Sequence, residues 1–278
     1  MDIKILFLIL VPLAAAFLIP FIDLINAKLR RFFVLLGILL ESYLIISIII
    51  NNFQSLRNGD FFLQYYLGGW HPPIGISLAM DGLSLLFTVI TALSLFLIVI
   101  YSIGYIGHHE GKYYVLYFLI TAASMGTILT ADMFNIYVFI EMLTITSGAL
   151  IGFKRSKEAS AAAIKYLIYN VLAGLLFFLG VLLLYFNLGT LNMADISQNF
   201  ASLESGIQLF ISAIFLTSIL IKMGIFPFFF WLPKSYDSAP SPVTAVLSGV
   251  LSKVYLYIFI RIFWTVIGFE TLAALNLN

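Results

Sequence analysis

Apolar runs of about twenty residues recur eight times along this chain, more than the interior of a soluble fold of this length can bury. They are read at 3–22, 32–50, 79–103, 113–130, 133–152, 161–185, 207–232 and 242–267. At about 1.5 Å per residue, each is long enough as a helix to cross a hydrocarbon core of roughly 30 Å. A transmembrane barrel would show segments of about ten residues alternating polar and apolar, and a run such as LLFFLGVLLLYF does not alternate. With 62% hydrophobic and 10% charged residues, the chain has too little charge to cover a soluble surface. It is therefore read as an all-α integral membrane protein of about eight transmembrane helices, with the lipid bilayer as its first partner. The first run has no small-residue cleavage site after it and is expected to remain in the mature protein.

Sidedness follows from the connections. Those after odd-numbered spans carry Lys28, Arg30, Arg31, Lys112, Lys154, Arg155, Lys157 and Lys234, whereas the other side has Lys4 and Arg57. Basic residues of short loops stay cytoplasmic, so both termini are expected on the outer side of the cell membrane. A net charge of +1 gives no basis for a nucleic-acid partner. Without cysteine there is no disulfide, thiolate metal site or iron–sulfur ligand. His71, His108 and His109 fall in expected loops, where the paired histidines read as a wet loop. No metal and no cofactor is expected in this chain.

The informative residues are the ionisable ones left inside the spans: Glu41, Glu141, Lys165, Lys222, Lys253 and, near the end of the eighth, Arg261. Each costs about 2.5–3.5 kcal/mol near a helix centre, and such residues normally face a bundle interior or a hydrated path. Snorkelling accounts for Arg261 and is one of two readings for Lys165, near the start of its span. It fits Lys222, Lys253 and Glu141 poorly. Static ion pairs that fasten helices together are the plain alternative.

Neighbouring residues favour the hydrated path. Tyr137, Glu141, Thr144 and Gly148 recur at helical spacing, Ser218 precedes Lys222 by one turn, and Gly249, Lys253 and Tyr257 form a similar stripe. Small and hydroxyl residues also serve plain helix packing, so the stripes alone decide little. In ILIKMGIFPFFFWLP, Pro227 lacks an amide hydrogen and crowds the preceding turn, so the seventh helix is expected to bend or break there. The Met223 carbonyl is then expected to need another donor, water or an ammonium. Irregular backbone at membrane depth is tolerated only inside protein or along a cavity.

The segments MDGLSLLF, ADMFNIYVFIEMLTI, AAIKYLIYN and KMGIFPFFFWLPKSYDSAPSPVTAVLSGVLSKVYLYIFIR resemble the antiporter-like proton-pumping subunits shared by respiratory complex I, Mrp cation/proton antiporters and membrane-bound hydrogenase-type complexes. The resemblance implies that Glu141 matches the family's essential helix-five glutamate and Lys222 the helix-seven lysine that pairs with it. Lys165 matches a helix-six lysine that modulates the pair, and Lys253 the helix-eight lysine that receives the proton. Asp81 and Asp132 stand in family-like surroundings with structural or gating roles expected, and Ser218 and Tyr137 count as accessory positions. Glu41 matches no family motif and reads as a helix-packing or interface carboxylate. Ser248 and Gly249, where some relatives carry histidine, point to the Mrp and hydrogenase branches.

Family members carry two inverted five-helix repeats. The spans here correspond to a three-helix segment, 1–112, and the first repeat, helices four to eight, 113–278. The second repeat is expected from a separate chain in a complex I-like, hydrogenase-like or Mrp assembly, within which this chain moves protons, with or without sodium, through a Glu-Lys-Lys relay. It carries no catalytic chemistry of its own, any redox reaction belonging to the assembly. A stand-alone secondary carrier and a structural scaffold subunit are the alternatives.

Overall fold

The computed structural model describes residues 2–106 and 110–268, so His108 and His109 lie outside the described residues. The chain begins with α1 (Lys4–Ile25) and α2 (Ala27–Asn51), joined through Asn26, whose extended backbone turns the chain and whose side chain accepts from the Lys28 N–H at 2.8 Å. A short α3 (Phe53–Asn58) stops at Gly59, which takes the left-handed conformation that lacks a Cβ penalty. There follows a hairpin of β1 (Phe62–Tyr66) and β2 (Ser77–Asp81), antiparallel in the register Phe62 to Asp81 and Tyr66 to Ser77. By hydropathy alone most of this stretch reads as the loop between the second and third spans.

Asp81 ends the hairpin and starts α4 (Gly82–Ser102): its carboxylate accepts from the Ser84 N–H at 2.8 Å while Ser84 returns a bond to the Asp81 backbone, a capping box. α5 (Glu110–Leu129) is the central helix, packed by α1, α4, α6 and α12, with Tyr113, Tyr114, Tyr117 and Phe118 fully buried. α6 (Met133–Ile151) is capped by Asp132, and α7 (Lys157–Leu188) by Ser156 at its start and a left-handed Gly189 at its end. α8 (Met193–Asn199) is short; α9 (Ser205–Met223), α10 (Leu232–Ser238), α11 (Ser241–Val246) and α12 (Ser252–Ile260) complete the bundle. π-helical turns at Leu247–Leu251 and Arg261–Val266 make α11 and α12 one continuous span. Among the described residues, eight helices are long and apolar enough to cross a membrane, as expected.

The break expected near Pro227 is present, but it starts earlier and has a different cause. Gly224 adopts φ 65°, its N–H bonds the Ile221 carbonyl, and the Ile225 N–H reaches back to Leu220, so α9 closes in a Schellman motif at Met223 instead of continuing to 232. The Trp231 indole N–H also caps the Ile221 carbonyl at 2.9 Å. The ammonium of Lys222 is not the donor that fills the break.

Contacts between connections sort them onto two sides. On one side Arg30 and Arg31 bind Glu110, Tyr105 bonds Ser241, and Lys154 donates to the Ala239 carbonyl at 3.1 Å. On the other, Leu78 pairs with Thr130, Asp132 with Asn192, and Lys4 donates to Ser47. The basic connections therefore share one face, as a positive-inside chain requires.

Candidate functional site

Three helices meet at Lys222. It sits in the last turn of α9 with 1% of its side chain exposed, and its Nζ donates to Thr144 Oγ1 of α6 at 3.0 Å and to the Asn170 carbonyl of α7 at 3.0 Å. Glu141 Oε1 of α6 lies 3.5 Å away, an ion pair longer than either hydrogen bond. An ammonium has three N–H donors; Thr144 and Asn170 take two of them, and Glu141 adds a charge contact without a hydrogen bond. A buried lysine with no such partners would be far costlier than the helix could bear. The Tyr255 ring centre stands 6.0 Å from Nζ and adds a weak cation–π attraction.

The carboxylate is held differently. Glu141 is 22% exposed, and its Oε1 has no hydrogen-bond donor among the described residues. It rests against the backbone of α7 at Gly174, where a Cβ would come within 1.8 Å of Oε1. Gly174 is therefore required by the close approach of the carboxylate. The site thus joins a cation fixed by neutral groups to an anion that no hydrogen bond holds among the described residues.

The other expected residues take separate places. Thr144 joins the site as the polar stripe of α6 implied, and Gly148 on the same stripe makes room for Leu167. Tyr137 is half-buried and stacks on Phe178 at 4.8 Å. Ser218 donates to the Ala173 carbonyl at 2.6 Å, fastening α9 to α7 instead of solvating Lys222. Lys165 is half-buried, with no ion pair or hydrogen bond among the described residues. Lys253 donates to the Ser248 carbonyl at 2.6 Å and reaches Ser252 Oγ at 3.5 Å. Ser252 also lines a cavity of about 10 Å³ whose wall includes Lys222, Trp231 and Tyr255. That volume is on the order of one water.

Asp132 acts as the N-cap of α6, accepting from the Asn135 N–H at 2.8 Å, and burial pushes its carboxyl above the usual range. Asp81 binds the Arg261 guanidinium in a two-pronged pair, both bonds 2.7 Å. Burial opposes ionisation of Asp81, but Arg261 and the Ser84 bonds outweigh it and hold the carboxyl down at about 2. Snorkelling is thus the wrong description of Arg261. Its Nε also donates to Tyr257 Oη, which donates to the Ile128 carbonyl, so Lys253, Tyr257 and Arg261 form one stripe leading to a cavity of about 220 Å³ lined by Asp81, Thr130 and Asn192.

Three participants escape a reading of the sequence. Asn170 offers the signal of an amide in the middle of an apolar span, and Trp231 that of an indole needing an acceptor. The Asp23, Arg30, Arg31 and Glu110 network gives none, since its members lie in or beside the connections between apolar runs, where charge is ordinary.

Comparison with known proteins agrees with the architecture. The family model described as NADH:quinone oxidoreductase/Mrp antiporter, TM matches residues 130–275, and that of the complex I chain 5 N-terminus matches 70–118. The chain is 35% identical over 270 residues to a subunit of the Na(+)/H(+) antiporter of Bacillus subtilis, covering 95% of this chain and 53% of that one. It is 34% identical over 218 residues to a subunit of the NADH-quinone oxidoreductase of Desulforudis audaxviator, covering 77% and 43%. In the solved membrane-bound sulfane sulfur reductase, an archaeal respiratory membrane complex, one chain superposes with a TM-score of 0.89 at 29% identity, over 99% of this chain and 56% of that one. The chain thus spans about half the length of the relatives it matches. Over that length its helices, its motifs and the matched family model agree, and the chain belongs to the NADH:quinone oxidoreductase/Mrp antiporter transmembrane family.

Proposed function

We propose that this chain is an ion-translocating subunit of a multisubunit membrane complex, and that it carries protons along Glu141, Lys222 and Lys253, with or without coupling to sodium. The observation that carries the reading is a wholly buried ammonium anchored by Thr144 and Asn170, with a carboxylate held only loosely beside it. While Glu141 stays close, it favours the protonated Lys222. When the carboxylate swings towards its exposed side, Lys222 releases its proton into the small cavity at Ser252, and Lys253 accepts it. From Lys253 the stripe through Tyr257 and Arg261 leads to the larger cavity beside Asp81. Lys165, on the neighbouring helix, modulates the pair electrostatically, and the non-helical stretch around Pro227 lets the end of α9 adjust.

The partners are other membrane subunits of an Mrp, hydrogenase-like or complex I-like assembly in the cell membrane, both termini facing outward, with further polypeptide supplying the second repeat. The scaffold alternative draws on the same contacts, because Thr144 and Asn170 already hold the Lys222 ammonium in place. Lys253→Ala separates the two. It leaves the Glu141–Lys222 contact in place, and on the relay reading it stops translocation by assembled complexes in inverted vesicles. Normal translocation by that variant refutes the relay. Mass spectrometry of the gently purified native assembly tests the complex; recovery of this chain alone refutes that part.

A further inference from the structure

The Glu141–Lys222 site makes no use of Glu41, which lies in the middle of α2 with 2% exposure and both carboxyl oxygens without a hydrogen-bond partner among the described residues. It occupies the buried stripe of α2 that also carries Val34, Ile38, Ile45 and Ile48. A carboxyl gains nothing from such neighbours as a packing element, and its desolvation is costly unless a donor or a cation meets it.

Three further oxygens in the same part of the bundle have no partner either: Thr88 Oγ1 and Thr91 Oγ1 of α4 and Ser124 Oγ of α5, all at 0% exposure. Thr121, Thr127, Thr144 and Thr146 all return their hydroxyls to the carbonyl one turn earlier, the normal resort of a hydroxyl inside a helix. Thr88, Thr91 and Ser124 do not, and their lone pairs remain available.

Helix register brings the four groups to one depth. Gly37 of α2 stands against Phe118 of α5, and Tyr117 of α5 donates to the Leu95 carbonyl of α4 at 2.6 Å. Towards the outer end from those reference points, Glu41 is about 6 Å along α2, Ser124 about 9 Å along α5, Thr91 about 6 Å and Thr88 about 10 Å along the antiparallel α4. Of the ionisable groups on the packed helices, Tyr117 of α5 is bonded to Leu95 and Lys4 of α1 to Ser47, further out along α2. Asp23 of α1, Tyr101 of α4 and Glu110, Lys112, Tyr113 and Tyr114 of α5 lie towards the inner ends, and Asp81, at the outer end of α4, is paired with Arg261.

We propose that Glu41, with the hydroxyls of Thr88, Thr91 and Ser124, forms a second site at the α2–α4–α5 seam for a small hard monovalent cation of sodium size, which exchanges there with a proton on Glu41. One carboxylate balances one positive charge, and hydroxyl oxygens replace the ligands a hard cation loses with its water. No nitrogen or sulfur donor is needed. The site stands apart from the Glu141–Lys222 pair and does not depend on the relay.

Infrared difference spectroscopy of the full chain in lipid nanodiscs tests it, exchanging choline chloride for sodium chloride at constant pH. Sodium is expected to bleach a protonated-carboxyl band that Glu41→Gln lacks throughout, and Thr91→Val is expected to raise the sodium concentration needed by about tenfold. Glu141→Gln should leave the sodium response unchanged, which separates this site from the relay. A Glu41 band indifferent to sodium, or a sodium response that survives in both Glu41→Gln and Thr91→Val, overturns the proposal.

Discussion

Gly174→Ala tests the site by geometry without removing a charge. The new methyl carbon would sit 1.8 Å from Glu141 Oε1, whereas an ordinary contact is about 3.5 Å, so the carboxylate has to retreat by roughly 1.7 Å. Because Lys222 Nζ is tied to α7 through the Asn170 carbonyl, a carboxylate pushed off α7 moves away from it. Lengthening the pair from 3.5 Å to about 5 Å at an effective dielectric near 20 lowers the attraction from about 4.7 to about 3.3 kcal/mol. The loss of about 1.4 kcal/mol is a factor of about ten in an equilibrium the pair controls.

Helix propensity works in the opposite direction, since alanine favours a helix interior over glycine by about 1 kcal/mol. The variant should therefore assemble at least as well as the parent while translocating about tenfold more slowly in a fluorescence-quench assay on inverted vesicles. Gly148→Ala, which would strike Leu167 at 2.5 Å, is the packing control and should leave translocation closer to normal. Shortening the acid in the double variant Gly174→Ala with Glu141→Asp should recover part of the lost rate. Parental rates in Gly174→Ala, or equal losses in the two alanine variants, would mean that the position of the carboxylate does not set the rate.

Other consequences are open to measurement. Trp231→Phe removes the indole donor from the Ile221 carbonyl, and should destabilise the end of α9 by about 1 kcal/mol and slow translocation without abolishing it, read from thermal unfolding and vesicle assays. The Asp81–Arg261 pair should have a pH signature. The folded carboxyl titrates at about 2, below an unfolded value near 3.9, so the pair's contribution is complete above about pH 4 and is lost as pH falls through about 2. Hydrogen exchange across residues 62–81 should therefore rise, after correction for intrinsic rate, over that window, and Arg261→Gln should show the higher exchange already at neutral pH.

How much of this is legible in the sequence depends on the residue. Spans are visible because the bilayer demands a minimum length of apolar chain, and all eight are found within a few residues of where the runs lie, the end of the seventh excepted. The seventh run overshoots its helix because FPFFFWLP is as apolar as the helix before it, and hydropathy does not tell helix from buried irregular backbone. The better signal is Lys222-Met223-Gly224, a basic last turn followed by glycine. The hairpin stays hidden because FLQYY and SLAMD are short and mix polar with apolar residues on both faces.

Charges are legible one at a time and not as pairs. Only the family resemblance pairs Glu141 with Lys222 in advance, and the structure brings them together. Arg261 and Asp81 are 180 positions apart, and nothing local to either announces the other. Asn170 and Gly174 acquire their roles only when α7 packs against α6 and α9, a tertiary event that the pattern of α7 alone does not encode.

Whether a proton passes through the Glu141–Lys222 pair is measured most directly as ion translocation by Glu141→Gln and by Lys222→Ala, each in vesicles whose complex content has been matched to the parent. If the pair carries the proton, both variants assemble and neither translocates. Translocation at the parental rate by both contradicts the relay.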